Sequence, residues 1–111
     1  MSNYSFRRTT FRNYIWINSG ALFQDPTLLD VETSNSGAFN LEIYDSRSVL
    51  VRTYRKRNTR GSWTSFYLDR TAAVDDYGNA IAPLPSGKYK FRLVNASSGT
   101  RQIRQGSLDY G

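Results

Sequence analysis

Along most of the chain, apolar and polar residues alternate with a period of two, the signature of an extended strand with one buried face. Phe39 to Asp45 places Phe39, Leu41 and Ile43 on one side. Lys88 to Val94 turns Tyr89, Phe91 and Leu93 inward and Lys88, Lys90 and Arg92 outward. Trp63 to Leu68 sets Phe66 and Leu68 against Trp63 and Tyr67. Nearer the start, Tyr4 to Phe11 predicts a first strand and Phe11 to Asn18 a second, with Phe11, Ile15 and Ile17 facing away from Tyr14 and Trp16. No segment sustains a helical period.

Turn-forming residues punctuate these runs. Asp45 to Ser48 joins Phe39–Asp45 to Val49–Tyr54 as a hairpin, and Ser19-Gly20, Asp25-Pro26, Thr33 to Gly37, Asn58 to Gly61, Asp75 to Asn79, Pro83 to Gly87 and Asn95 to Gly99 break the chain elsewhere. Thr27 to Val31 fits a short strand or one helical turn, and Ala80 to Ala82 is long enough only for an edge strand. Thr100 to Leu108 reads as a polar last strand anchored by Ile103 and Leu108, followed by residues expected to fray. About six to eight short strands at this spacing predict an all-β sandwich or small barrel.

A chain of 111 residues suits one domain, 1–111, and its eight Tyr, six Phe and two Trp suffice for a single core. The sequence has neither Cys nor His, which excludes disulfides, thiolate chemistry and the usual general base or transition-metal ligand. No apolar run is long enough to span a membrane as a helix, and the opening Met-Ser-Asn-Tyr lacks the apolar stretch of a secretory signal. Asp69, Asp75, Asp76 and Asn79 form the one local acidic cluster, but the spacing of a calcium loop is missing, and side-chain turns account for them. With no phosphate loop and no nucleophile elbow, we expect no catalysis, no cofactor and no metal.

The formal charge of +6 points to anionic partners. Six cations and no carboxylate lie between Asp45 and Asp69: Arg47, Arg52, Arg55, Lys56, Arg57 and Arg60. The last four crowd a predicted hairpin tip beside Tyr54 and Trp63, a mixture suited to phosphates and stacked bases, or simply to a solvated loop. Lys88, Lys90 and Arg92 form a second row, spaced about 7 Å apart, able to match a repeating anionic chain if it shares a surface with the first set. Arg7, Arg8 and Arg12 lie in the first strands. Candidate partner-binding residues are therefore Arg52, Arg55, Lys56, Arg57, Arg60, Trp63, Lys88, Lys90 and Arg92.

Two patches carry a family resemblance. Phe39-Asn-Leu-Glu-Ile-Tyr-Asp45 with Val49-Leu-Val-Arg-Thr-Tyr54, then Asp75-Asp-Tyr-Gly-Asn79 and Leu84-Pro-Ser-Gly-Lys-Tyr-Lys-Phe-Arg-Leu93, resemble the hairpin, turn and Pro-Ser-Gly-x-Tyr strand of bacterial immunoglobulin-like domains of the flagellar hook-capping type. Trp63 is followed by Thr64 and Ser65 where those domains carry Trp-Asp-Gly. The resemblance covers about half the chain and implies an immunoglobulin-like antiparallel sandwich. It also implies a non-enzymatic binding or structural module, extracytoplasmic or secreted, that recognises an anionic envelope polymer or a protein surface. The same patches are similar to the immunoglobulin-like intracellular proteinase inhibitors of bacilli, which would imply a rigid exposed loop, best sought at Ala80 to Ser86. A cytoplasmic nucleic-acid-binding β-domain using the basic hairpin is the remaining alternative. A free Tyr89 hydroxyl after the Gly87 turn is expected to bond a neighbouring loop.

Overall fold

The structure, a computed structural model, describes residues 2–57, 62–70 and 73–111. Two antiparallel sheets pack face to face. The first holds β1 (Ser2–Phe6), β2 (Thr9–Phe11), β5 (Leu28–Thr33), β8 (Trp63–Tyr67) and β12 (Arg101–Tyr110), in the order β1-β12-β5-β8 with β2 on the same flank of β12 as β1. The second holds β3 (Tyr14–Trp16), β4 (Phe23–Gln24), β6 (Phe39–Asp45), β7 (Leu50–Lys56) and β11 (Lys88–Asn95), in the order β3-β11-β6-β7 with β4 also on β11. A small ribbon of β9 (Ala73–Val74) and β10 (Ala80–Ile81) lies beside β7. The fold class is the expected all-β antiparallel sandwich.

Alternation builds the core. Phe39, Leu41, Ile43, Phe91 and Leu93 from the second sheet meet Leu29, Val31, Phe66, Ile103 and Leu108 from the first, all 2% exposed or less. Each such side chain contributes about 1.5–3 kcal/mol relative to leaving it in water. Phe66 receives Phe39 and Tyr54 edge-on, with centroids 6.2 and 5.5 Å away. Thr27 to Val31 settles as strand, because Leu29 and Val31 pair with Leu108 and Gly106 on β12 and with Phe66 and Thr64 on β8.

Twelve strands among the described residues exceed the predicted six to eight, and the surplus has identifiable causes. The run Tyr4 to Phe11 divides into β1 and β2 because β12 carries a bulge: Ile103 pairs with Thr33 but Gln105 with Glu32, leaving Arg104 as the extra residue. Opposite that bulge Arg7 and Arg8 leave the ladder. The run Phe11 to Asn18 divides because the chain crosses between sheets after β2, and β3 ends in a turn at Ile17–Gly20. Phe11 and Ile17 are nonetheless buried and Tyr14 exposed, as the alternation required.

Two further expectations are corrected. The C-terminus does not fray: Tyr110 pairs with Ser2, its ring meets Phe23 edge-on at 5.0 Å, and the Gly111 N–H donates to the Gln24 carbonyl at 2.7 Å. The basic segment after Tyr54 is not the tip of a hairpin. β7 pairs with β6 and β8 with β5, so the connection from β7 to β8 crosses from one sheet to the other. The predicted turn at Asn58 to Gly61, including Arg60, lies outside the described residues.

Candidate polyanion-binding face

Strand parity decides which charges share a surface. On β11 the outward positions are Lys88, Lys90, Arg92 and Val94, opposite the buried Tyr89, Phe91 and Leu93. Antiparallel partners point to the same side of a sheet. Arg92 pairs with Glu42 and Trp16, Lys90 with Tyr44, and Val94 with Tyr14 and Asn40, while Asn40 in turn pairs with Arg55. Arg55, Lys88, Lys90 and Arg92 therefore stand on one outer face together with the rings of Tyr14, Trp16 and Tyr44. Glu42 is the one carboxylate among the described strand positions of that face.

The middle of the face is a preformed cluster. The Arg92 guanidinium donates to Glu42 Oε1 through Nε at 2.9 Å and Nη2 at 2.5 Å, and to the Tyr44 hydroxyl at 2.7 Å. Its charge lies 4.6 Å from the Tyr14 ring centroid and 5.3 Å from those of Trp16 and Tyr44. Trp16 and Tyr44 are 5.2 Å apart, and Lys90 Nζ sits 5.2 Å from the Trp16 ring while donating to Ser48 Oγ at 2.7 Å. Burial, then the hydrogen bond that Tyr44 gives Glu42, pushes the Tyr44 phenol above its ordinary range, so it stays a neutral donor. Cation–ring contacts of this half-exposed kind contribute about 0.5–1 kcal/mol each. Glu42 offsets Arg92 locally. Lys88, Lys90 and Arg55 have no ion pair among the described residues and supply the face's net positive potential.

The remaining predicted residues serve other ends. Arg52 reaches off the edge of β7, where Nε donates to the Ala82 carbonyl at 2.9 Å, Nη2 to Pro83 at 3.1 Å and Nη1 to Val51 at 2.8 Å. Lys56 pairs with Asp76 at 2.8 Å, and Arg57 lies over the Tyr77 ring at 4.5 Å while its N–H bonds Asp76. Trp63 is exposed on the outer face of the other sheet, paired with Glu32, away from Arg55, Lys88, Lys90 and Arg92. Tyr14, Trp16, Tyr44 and Glu42 were not among the predicted site residues. The signal that places them is the same alternation: each sits on the strand face opposite a core residue.

The 80–86 stretch is tied down along its length. Besides the Arg52 bonds, Leu84 N–H donates to the Leu68 carbonyl at 2.8 Å and the Tyr89 hydroxyl to Pro85 at 2.7 Å. Asp25 Oδ1 accepts from Ser86 Oγ and the Gly87 N–H, both at 2.8 Å, and those bonds hold its carboxyl below the ordinary range. The Ala82, Pro83 and Pro85 carbonyls are thus engaged within the fold rather than offered to a partner strand. Within the acidic cluster Asp75 makes the turn, accepting from Tyr77, Asn79 and Arg55, and no group of three or more metal-ligating side chains exists among the described residues. No helix is long and apolar enough to cross a membrane.

No family model matches the sequence, and no curated protein matches it. Among solved structures, the chain is similar to FlgD from P. aeruginosa, with a TM-score of 0.50 and 18% identity over 80% of this chain and 74% of that one. A family two carbohydrate esterase from Cellvibrio japonicus follows at a TM-score of 0.43 and 11% identity, over 99% of this chain and 34% of that one. A structure of infectious bursal disease virus, Gt strain, has a TM-score of 0.40 and 15% identity, over 99% of this chain and 33% of that one. The likeness to FlgD is that of a distant β-domain and concerns the fold.

Proposed function

We propose that this protein is a non-enzymatic binding module that holds an anionic polymer, or an acidic protein surface, on the outer face of the β3-β11-β6-β7 sheet. The observation that carries this reading is the convergence of Arg55, Lys88, Lys90 and Arg92 from two separate chain segments onto one face, interleaved with three aromatic rings and a single carboxylate. The hairpin and turn motifs of hook-capping-type domains support an extracytoplasmic module facing an envelope component. The cations most open to a ligand are Lys88 and Arg55, both exposed, with Lys90 between Lys88 and the Arg92 cluster. A nucleic acid is the second reading for the same face, favoured by the Tyr14 and Trp16 rings beside the cations.

Retention on immobilised heparin, with single-stranded DNA as a parallel arm, tests the proposal. The triple variant Arg55→Gln, Lys88→Gln, Lys90→Gln should elute at clearly lower salt, and the salt slope should fall by roughly one per cation lost. Retention unchanged in that variant, with the fold intact by circular dichroism, overturns the assignment. Equal binding to heparin and DNA marks a general polyanion surface; a DNA preference accompanied by quenching of Trp16 selects the second reading.

A further inference from the structure

On the flank of the sandwich nearest the N-terminus both sheets are interrupted at the same level. In the first sheet Arg7 and Arg8 leave the ladder opposite the Arg104 bulge. In the second, β3 pairs with residues 92–94 of β11 and β4 with residues 88–89, and the turn Ile17–Gly20 loops out between them. The two gaps open into one cleft of about 220 Å³.

Its floor is apolar, made by Ile15, Ile17 and Leu93. One wall is aromatic: the rings of Tyr4 and Phe6 stack, 24° from parallel with centroids at 6.2 Å. Phe6 takes that position because it crosses β12 at Gly106, where any Cβ would collide with the ring and with the Asp30 carbonyl. Trp16 also borders the cleft, with its ring turned to the outer face against Tyr44. At the mouth, Asn18 (φ 49°) and Ser19 (φ 55°) both hold left-handed backbone, closed by the Ala21 N–H donating to the Asn18 carbonyl at 3.0 Å. Strained backbone of this kind clusters at ligand sites, where it fixes a rim in advance of binding. Arg7 is the sole charged residue of the lining, it is exposed, and it has no ion-pair or hydrogen-bond partner among the described residues.

We propose that this cleft binds a small molecule made of one aromatic ring carrying a carboxylate. The ring lies against Tyr4, Phe6 and the floor of Ile15, Ile17 and Leu93, and the carboxylate meets the Arg7 guanidinium at the mouth, where Asn18 and Ser19 offer further polar groups. Size sets the class: an apolar cavity of about 150 Å³ accepts benzene, so this volume admits one ring with a short substituent and little more. Charge sets the substituent, because the lining has a cation and no carboxylate, and a planar guanidinium favours a carboxylate in a two-pronged contact. The cleft shares Trp16 with the cationic face but none of that face's cations, so Arg7→Gln tests this site while substitutions at Arg55, Lys88 and Lys90 test the other.

Titration of the intact protein with phenylacetate, followed by amide chemical shifts, is the test. Saturable shifts are expected at Phe6, Ile17, Asn18 and Leu93, with a dissociation constant near or below about 1 mM for a ligand of this size. Phenylethylamine, with the opposite charge, should bind at least about tenfold more weakly. Acetate should produce no saturable shift at these amides. Arg7→Gln, an exposed substitution, should weaken phenylacetate about fivefold or more while leaving the thermal midpoint in place. In a Trp63→Phe variant, Trp16 fluorescence should follow the same curve. The inference is overturned by the absence of saturable shifts up to about 20 mM phenylacetate. Equal affinity for the amine, or indifference to Arg7→Gln, overturns it as well.

Discussion

Asp75 sits at the bottom of the 75–79 turn with 8% of its surface exposed, and its two oxygens accept four hydrogen bonds. Burial alone would raise its carboxyl. The side chain of Asn79 and the N–H groups of Asn79, Tyr77 and Arg55 outweigh that and hold it below the ordinary value of 3.8. Asp76 is lowered in the same way, against burial, chiefly by Lys56 and by the Arg57 N–H. A carboxylate with a depressed folded-state value contributes stability that is complete above its unfolded value and is lost as pH falls through the folded one. The thermal midpoint should therefore decline as pH drops below about 4, and Asp75→Ala should both lower it at pH 7 and flatten that decline. Leaving three backbone donors without an acceptor should cost about 2 kcal/mol by denaturant titration at pH 7. A variant with an unaltered acid limb would show that Asp75 is not the titrating support. That Asp75 and Asn79 make a side-chain turn was legible in the sequence, because Asp, Asn and Gly cluster there. That Arg55 N–H closes it from β7 was not, because the bond spans twenty residues of chain.

Arg52 works at the scale of the element, as the strap between β7 and the β9–β10 ribbon. Among the described strands β10 pairs with β9 alone, so between the Asp75 turn on one side and the Leu84–Leu68 bond on the other, Arg52 is what holds the Ala82 and Pro83 carbonyls to β7. A guanidinium reaches two carbonyls at once through a fixed fork, and hydrogen bonds from a charged donor are stronger than neutral ones. Arg52→Met, which keeps the aliphatic stem, should speed amide exchange at Ile81 and Leu84 and destabilise the domain by about 1–2 kcal/mol. Arg52→Lys should recover only part of this, and full recovery would refute the strap. The same element shows where pattern reading stops. β6, β8 and β11 were legible because alternation over five or more residues fixes both the strand and its buried face. The hairpin of β6 and β7 was legible too, but the sheet to which β8 belongs was not, since adjacent runs joined by a polar segment read as a hairpin whether or not they pair. The division of the first run into β1 and β2 was equally hidden, because it is imposed by a bulge at Arg104 nearly a hundred residues away. Lys88, Lys90 and Arg92 share a face by the alternation of one strand, whereas Arg55 joins them by a parity that only the register of three strands reveals.

At the scale of the whole molecule, the two outer faces differ in charge balance, the other sheet's face setting Arg8, Arg104 and Arg70 against its carboxylates. The β3-β11-β6-β7 sheet presents Arg55, Lys88, Lys90 and Arg92 against Glu42, whereas the outward positions of the other sheet include Asp30, Glu32 and Asp109, with Trp63 and Tyr67. Two packed sheets lie about 10 Å apart and their outward side chains project further on each side, so the faces are separated by about 20 Å, more than two Debye lengths at physiological salt. A polyanion on one face is then nearly blind to the other, and binding by a specific face can be told from binding by net charge. Asp30→Asn with Asp109→Asn raises the net charge by two on the far face. Lys88→Gln with Arg55→Gln lowers it by two on the near one. If the near face is the site, the first pair should change heparin affinity by less than about twofold at 0.15 M salt, while the second should weaken it by about tenfold or more. If net charge alone drives association, the two pairs should shift affinity by similar factors in opposite directions. At about 0.01 M salt, where the screening length grows to about 30 Å, the far-face pair should begin to be felt, because the field then reaches across both sheets.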